Sequence, residues 1–245
     1  MGVDMFTDIH HHIIYGVDDG PKTLEQAQKM LRRAAQQGVH AVICTSHAMP
    51  AEERFPLETY MRHLEEEQRW CEEEGLDLRL YPGCEILWDS SAARLLSERA
   101  FPSLNGQRYA LVEFYPSAPW TDLKHAALSL GIAGYQPVFA HVERFQCLRK
   151  AGRLQELADG YGVILQMNAG TVLSSAHPGL FGDRWPGKVL EAELIDVVAT
   201  DAHDTEHRPC RMKECYEFLR QRYDEEFAAR LCIETPSAIL KGERL

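Results

Sequence analysis

Three consecutive histidines, His10, His11 and His12, stand in the stretch TDIHHHIIYGVDDG, with Asp18 and Asp19 a short way on. Imidazole nitrogens and carboxylate oxygens without thiolate form a donor set suited to manganese, iron or zinc. On an extended strand, side chains at i and i+2 point one way and i+1 the other. His10 and His12 can therefore meet one ion, while His11 faces away. Asp201 and His203 repeat that spacing in VVATDAH, and His47 (VICTSHAMP), Glu85 (YPGCEI), Glu113 (ALVEFY) and His141 (VFAHVER) complete the set with Asp19. Asp18 reads as a residue that holds the loop in shape. Any one of these alone is ordinarily a solvated group, a cap or an ion-pair partner. Jointly they are not, because burying so many ionisable groups without a counter-charge costs far too much. Divalent ions sharing carboxylates would supply that charge, activate a bound water and clamp a phosphoryl group from both sides.

The elements that must bring these residues together are short β-prone runs alternating with amphipathic ones. Strands are predicted at Met5–Ile9, His40–Thr45, Leu78–Ile86, Tyr109–Phe114, Pro137–His141, Val163–Asn168 and Ile195–Thr200. The first helix is expected to start at Thr23 as its N-cap and stop at Gly38, with Met30, Leu31, Ala34 and Ala35 facing the sheet. Two further helices are expected to stop at Gly75 and Gly131. This alternation predicts a parallel α/β fold. No Gly-rich phosphate turn follows the first strand, so a closed barrel is favoured over an open sheet. In such a barrel every strand's C-terminal end opens on the same mouth, and each proposed ligand falls at such an end. No linker divides the chain, so residues 1–245 read as one domain.

The formal charge of −11 disfavours nucleic-acid binding, which depends on neutralising phosphates. No apolar run is long enough for membrane insertion, no secretory leader is evident, and seven cysteines without a C-x-x-C pair fit a reducing compartment. The expected location is the cytoplasm. The histidine run is too integral to a strand and its loop to be a tag remnant.

The stretches DIHHHIIYGVDDGPKTLEQA, TSHAMP, YPGCEI, LNGQRYALVEF, AHVERF, LQMNAGTV, GLFG, TDAHDTEHRP and ETPSAILKGE together resemble the PHP (polymerase and histidinol phosphatase) superfamily. Within it they resemble the CpsB/YwqE-type manganese-dependent protein-tyrosine phosphatases of capsule and exopolysaccharide loci. The resemblance implies a distorted (β/α)7 TIM-like barrel, the PHP fold, with three divalent metal ions at its mouth. Carried over, one ion is held by His10, His12, Glu85 and Asp201. A second is held by Glu85 as a bridge, with Glu113 and His141, and a third by Asp19, His47 and His203. Arg144 and Arg208 match the phosphate-binding arginines, and a planar guanidinium suits phosphoryl oxygens independently of any resemblance. The implied reaction is hydrolysis of phosphotyrosine on a protein, by attack of a metal-activated hydroxide and with Asp201 able to assist the leaving group. The implied partner is a bacterial tyrosine kinase of polysaccharide synthesis or export. A histidinol-phosphatase-like enzyme acting on a small metabolite is the alternative. Three positions depart from the family pattern: Tyr15, Ala48 and Val142 stand where proline, histidine and proline are usual. They leave the ligands intact but bear on substrate preference. Tyr15, Phe55, Tyr115 and Trp120 are candidates either to stack on a phosphotyrosyl ring or to pack loops.

A cysteine-dependent phosphatase would use C-x5-R, and Cys147 to Arg153 matches that spacing. The segment lacks the Gly-rich anion cradle that a low-pKa thiolate requires, so the metal chemistry is preferred.

Overall fold

The computed structural model describes residues 5–52, 55–175 and 182–245. Seven strands, β1 (Phe6–His11), β2 (Val39–Ala48), β3 (Arg79–Leu87), β4 (Tyr109–Glu113), β5 (Gln136–Phe139), β6 (Ile164–Asn168) and β7 (Val197–Ala199), pair in chain order. Every pairing is parallel. The circle is completed by a narrow seam. Ala202 bridges His11, His12 N–H donates to the Ala202 carbonyl (2.9 Å), and Asp201 N–H donates to the His10 carbonyl (2.8 Å). This is the seven-stranded barrel expected, nearly closed.

Strand parity separates two cores. Ile9, Ile43, Tyr109, Leu111, Val138, Ile164, Val197 and Ala199 form one buried cluster inside the barrel, joined by Leu104 and Ile239. Their alternates, including Phe6, Val42, Ala110, Val112, Phe139, Leu165 and Val198, face the helices. Glu113 and Gln166 share parity with the inner set, so the barrel lining turns from apolar to ionisable toward the strands' C-terminal ends.

The helix surrounding β1 and β2, α1 (Leu24–Gln36), begins where Thr23 Oγ1 accepts from Gln26 N–H (3.3 Å), a cap worth about 1 kcal/mol. Its buried face is Ala27, Met30, Leu31 and Ala34; Ala35 lies one step off that face and is only half-buried. The helix α2 (Leu57–Glu73) closes on left-handed Gly75 as expected. By contrast α3 (Trp120–Ile132) runs through Gly131 and ends at Ala133, with left-handed Gly134 (φ 87°) beyond it. A helix interior tolerates Gly131, whereas only the residue past the end needs the positive φ.

Of two register shifts between β1 and β2, the second shapes the mouth. Asp8 is opposite Val42 but His11 is opposite Cys44, so the register slips by one residue between them. Such a bulge re-phases the strand. Ile9 lies in the inner core, and beyond the bulge His10 and His12 turn toward the mouth.

Candidate active site

The tautomers of the two flanking histidines follow from their outer partners. His10 Nδ1 meets the Gln166 side-chain oxygen (3.1 Å), an acceptor, so this nitrogen carries the hydrogen. His12 Nδ1 donates in the same way to Asp18 Oδ2 (2.9 Å). Both Nε2 atoms are thereby left with lone pairs, and they face each other at 3.2 Å. Glu85 Oε2 stands 3.2 Å from one and 3.1 Å from the other, and Asp201 Oδ1 is 3.3 Å from His10 Nε2. Lone pairs and carboxylate oxygens packed this closely, with all four residues at most 2% exposed, are stable only with protons or a metal ion among them. Glu85 Oε2 and Asp201 Oδ1 are buried without a hydrogen bond, which fits oxygens directed at a metal.

Beside this group, ligand atoms of His12, Asp19, His47 and His203 lie within 4.8 Å of one another, as do those of His47, Glu85 and Glu113. His203 Nδ1 donates to the Asp201 carbonyl (3.0 Å), leaving Nε2 aimed at Asp19 Oδ1 (3.3 Å). His141 Nε2 is 2.8 Å from Glu85 Oε1 and 3.7 Å from Glu113 Oε2. All nine sequence-derived candidates therefore converge on one mouth. The groupings are tighter than the expected division. His12 also belongs with Asp19, His47 and His203, and His47 Nδ1 (2.9 Å) approaches Glu113 more closely than His141 does.

Charge without metal is balanced by protons. Burial disfavours a charged His12, yet its bonds to Asp18 and Glu85 lift it to about 9. His47 is lifted to about 11 against the same burial by Asp19 and Glu113. Burial would raise Glu85, but His10, His12 and His141 hold it well below the usual carboxylate range. Asp18 is held at about 2 against its own burial, chiefly by His12.

Two of the candidate ligands adopt left-handed backbone, His141 (φ 34°) and Asp201 (φ 53°). For non-glycine residues this costs about 1–2 kcal/mol each, a strain typical of functional sites. The Asp201–His203 pair thus differs from the strand-like pair its spacing suggested. It lies past β7, and the left-handed turn rather than β alternation directs both side chains inward. Asp18 does more than shape its loop. It accepts from Gly20 N–H (2.9 Å) and His47 N–H (3.2 Å) while orienting His12. Gly20 is required there, since a Cβ would lie 2.6 Å from the His12 carbonyl oxygen.

Arg144 and Arg208 both donate to Asp201 Oδ2, at 2.7 and 2.6 Å, and Asn168 Nδ2 donates to the same atom at 2.7 Å. These two arginines also line a groove of about 660 Å³ with Asn168, Thr171 and Asp201. Gln166 and Asn168 were not singled out in the sequence. Their i, i+2 spacing in LQMNAG, at the C-terminal end of β6, was the available signal.

Three of the four rim aromatics are engaged with the protein. Tyr15 stacks on His63 (3.8 Å between centroids) and donates to Glu66 (2.6 Å). Phe55 packs on Tyr60 and Phe101, and Trp120 lies beneath Lys124 and Arg153. Tyr115 is 67% exposed. Ala48 and Val142 are fully buried. Burial pushes the Cys147 thiol up, outweighing the opposing charge of Arg153, whose guanidinium donates to the Cys147 carbonyl oxygen. That pair has neither the pKa nor the geometry of a nucleophile. Of the GLFG stretch, all but Gly182 lies outside the described residues. Among the described residues no helix is long and apolar enough to cross a membrane.

Comparison with known proteins agrees with this geometry. The chain is 31% identical over 243 residues to the tyrosine-protein phosphatase CpsB of Streptococcus pneumoniae, covering 96% of this chain and 98% of that protein. It is 27% identical over 245 residues to the tyrosine-protein phosphatase YwqE of Bacillus subtilis strain 168, covering 97% and 92%. Its fold superimposes with a TM-score of 0.83, at 26% identity and over 98% of this chain and 96% of the other, on a structure from the crystallographic study of YwqE and CpsB, described as unique metal-dependent tyrosine phosphatases. A histidinol phosphate phosphatase from Lactococcus lactis shares the fold at a TM-score of 0.56 and 13% identity, over 92% of this chain and 94% of that one. The model of the CpsB/CapC family of capsular polysaccharide synthesis matches residues 6–241, and the chain belongs to that family.

Proposed function

We propose that this chain is a metal-dependent phosphomonoester hydrolase that removes phosphate from tyrosine in proteins. The observation that carries the reading is the facing pair of imidazole lone pairs on His10 and His12, set beside two arginines that share one oxygen of Asp201. In this proposal three divalent cations, with manganese favoured over iron or zinc, occupy the mouth. His10, His12, Glu85 and Asp201 hold the first. Glu85, Glu113 and His141 hold the second, and Asp19, His47 and His203 the third. Bound there, such ions supply Lewis acidity to phosphoryl oxygens and an activated water.

The protein's own groups supply the rest. Arg144 and Arg208 reach the mouth from different loops, so a phosphoryl oxygen beside Asp201 is met by guanidinium donors from two sides. Gln166 and Asp18 fix the rings of His10 and His12, and Asn168 steadies Asp201. The phenolate of tyrosine, with an ordinary pKa of about 10, leaves with less protonation than an alkoxide needs. Asp201 has no proton to give it, because against its own burial His10, His12 and Arg144 hold it well below the usual carboxylate range, and its Oδ2 already accepts from Arg144, Arg208 and Asn168. The open groove beside the arginines suits an extended chain carrying the phosphotyrosine. The proposed partner is the cognate bacterial tyrosine kinase of polysaccharide synthesis or export, acting in the cytoplasm.

The test is a panel of purified protein loaded with manganese, iron or zinc against a phosphotyrosyl peptide, p-nitrophenyl phosphate and histidinol phosphate. The peptide and the aryl ester should be turned over fastest, with manganese. Failure of the manganese-loaded protein to hydrolyse any aryl phosphate would overturn the proposal, and preference for histidinol phosphate would favour the small-metabolite alternative.

A further inference from the structure

The bulge that turns His10 and His12 into the barrel leaves His11 on the outer face of the sheet, together with Asp8. There the two meet Cys210, which lies just ahead of the helix Met212–Arg222. One ligand atom from each of Asp8, His11 and Cys210 lies within 4.8 Å of the others. Asp8 and His11 are fully buried and Cys210 is 2% exposed.

His11 is the anomaly. Its backbone N–H donates to Thr45 Oγ1 (2.9 Å), but neither ring nitrogen has a hydrogen-bond partner. A neutral imidazole offers one donor and one acceptor, and leaving either unmet in the interior is unfavourable. Asp8 is held by Thr200 N–H (3.0 Å), the Thr200 hydroxyl and His10 N–H (3.4 Å). These are neutral donors that leave its charge uncompensated.

We propose that Asp8, His11 and Cys210 form a second metal site, separate from the mouth and selective for a zinc-class ion. The donor set is one sulfur, one nitrogen and one oxygen, softer than the all-nitrogen and oxygen set at the mouth. Cys210 binds as thiolate, releasing its proton to solvent. The thiolate and carboxylate then neutralise the divalent ion, and the neutral imidazole gains the partner it lacks. The Thr200 hydroxyl, already on Asp8, is the nearest named group for a further position. The site ties β1 to the segment after β7, and so reinforces the seam from its outer side.

Cobalt reports on it specifically, because thiolate coordination gives an intense near-ultraviolet charge-transfer absorption that nitrogen and oxygen ligands do not. Metal-free protein titrated with cobalt(II) should develop that absorption. Cys210→Ser and His11→Ala should lose most of it while retaining p-nitrophenyl phosphate hydrolysis when manganese is supplied. A wild-type spectrum without the absorption overturns the site and leaves a hydrogen-bonded trio. An undiminished absorption in Cys210→Ser overturns it too, assigning the signal to another cysteine. The wild-type spectrum and His11→Ala keep the proposal decidable if Cys210→Ser does not fold. In parallel, zinc retained by manganese-saturated wild type should be absent from His11→Ala.

Discussion

His10 Nε2 and His12 Nε2 face each other at 3.2 Å, each with its ring hydrogen already committed to a different outer partner. In their neutral forms neither nitrogen can donate to the other, so their approach is repulsive until a proton or a metal ion comes between them. Replacing either with alanine removes half of that demand. His10→Ala and His12→Ala should each lower manganese binding and aryl-phosphate turnover by more than about 100-fold, a loss at least as large as that seen for outer partners of ligands. His11→Ala should leave manganese occupancy of the mouth within about 3-fold of wild type, with equilibrium dialysis and metal analysis as the measurement.

The outer partners should matter almost as much. Asp18→Asn keeps the size of the side chain but weakens the charge-assisted bond that orients His12, and Gln166→Leu removes the acceptor on His10. Each should weaken manganese affinity by about 10–100-fold. Turnover at saturating manganese should fall much less than affinity, which separates an orienting role from a chemical one.

The pH dependence of the metal-free protein has a definite sign. His12 and His47 are raised to about 9 and about 11, above the ordinary value for histidine. Their protonated forms contribute stability that is complete below about pH 6.5. It is lost as the pH rises through 9 and toward 11. Asp18, held at about 2, contributes stability above its ordinary pKa, and that is lost only as the pH falls toward 2. With chelator present, the melting temperature should therefore drop between pH 6.5 and 9.5. With manganese it should drop far less, because metal replaces the protons. Calorimetric titration with manganese near neutral pH should show proton release. A chelated protein whose melting temperature rises over that interval would contradict the assignment.

Arg144 and Arg208 are over a third exposed and pair with a buried carboxylate, so they add little to stability, and the proposed function gives them the phosphoryl group to bind. Alanine at either should reduce kcat/KM for p-nitrophenyl phosphate by about 100- to 1,000-fold, with the melting temperature little changed. Lysine should rescue only in part, since it lacks the planar fork.

Cys147→Ser should retain activity, and a chelator should abolish it. The thiol is pushed up by burial, the opposite of what nucleophilic attack needs. Steady-state rates for the serine variant with and without chelator decide between the two chemistries.

Much of this was legible along the chain because parallel strands place their ends together, so His47, Glu85 and Glu113 needed only their strand positions to be grouped. The alternation at His10, His11 and His12 was equally readable, since it is a local property of extended backbone. What a linear pattern does not carry is a change of phase. The register slip after Asp8 puts Asp8 and His10 on opposite faces despite their even spacing, and left-handed turns at His141 and Asp201 aim those ligands without any periodic signature. Gln166 and Asn168 were overlooked for a related reason: neutral amides at a strand end look like ordinary polar residues until the His10 ring and the Asp201 carboxylate they hold are in view. Gly131 shows the complementary error, a helix stop read from residue type where only the backbone angle at Gly134 does the stopping.

The seam between β1 and β7 also sets a schedule. His10 and His12 are made long before Asp201, His203 and Arg208, and only a few backbone bonds join the two edges. Until the segment after β7 has been made, the earlier half of the mouth has nothing to close against, so the mouth is completed in one step. On the proposed assignment, a metal ion at the mouth would be the clasp that joins a strand made early to a segment made much later.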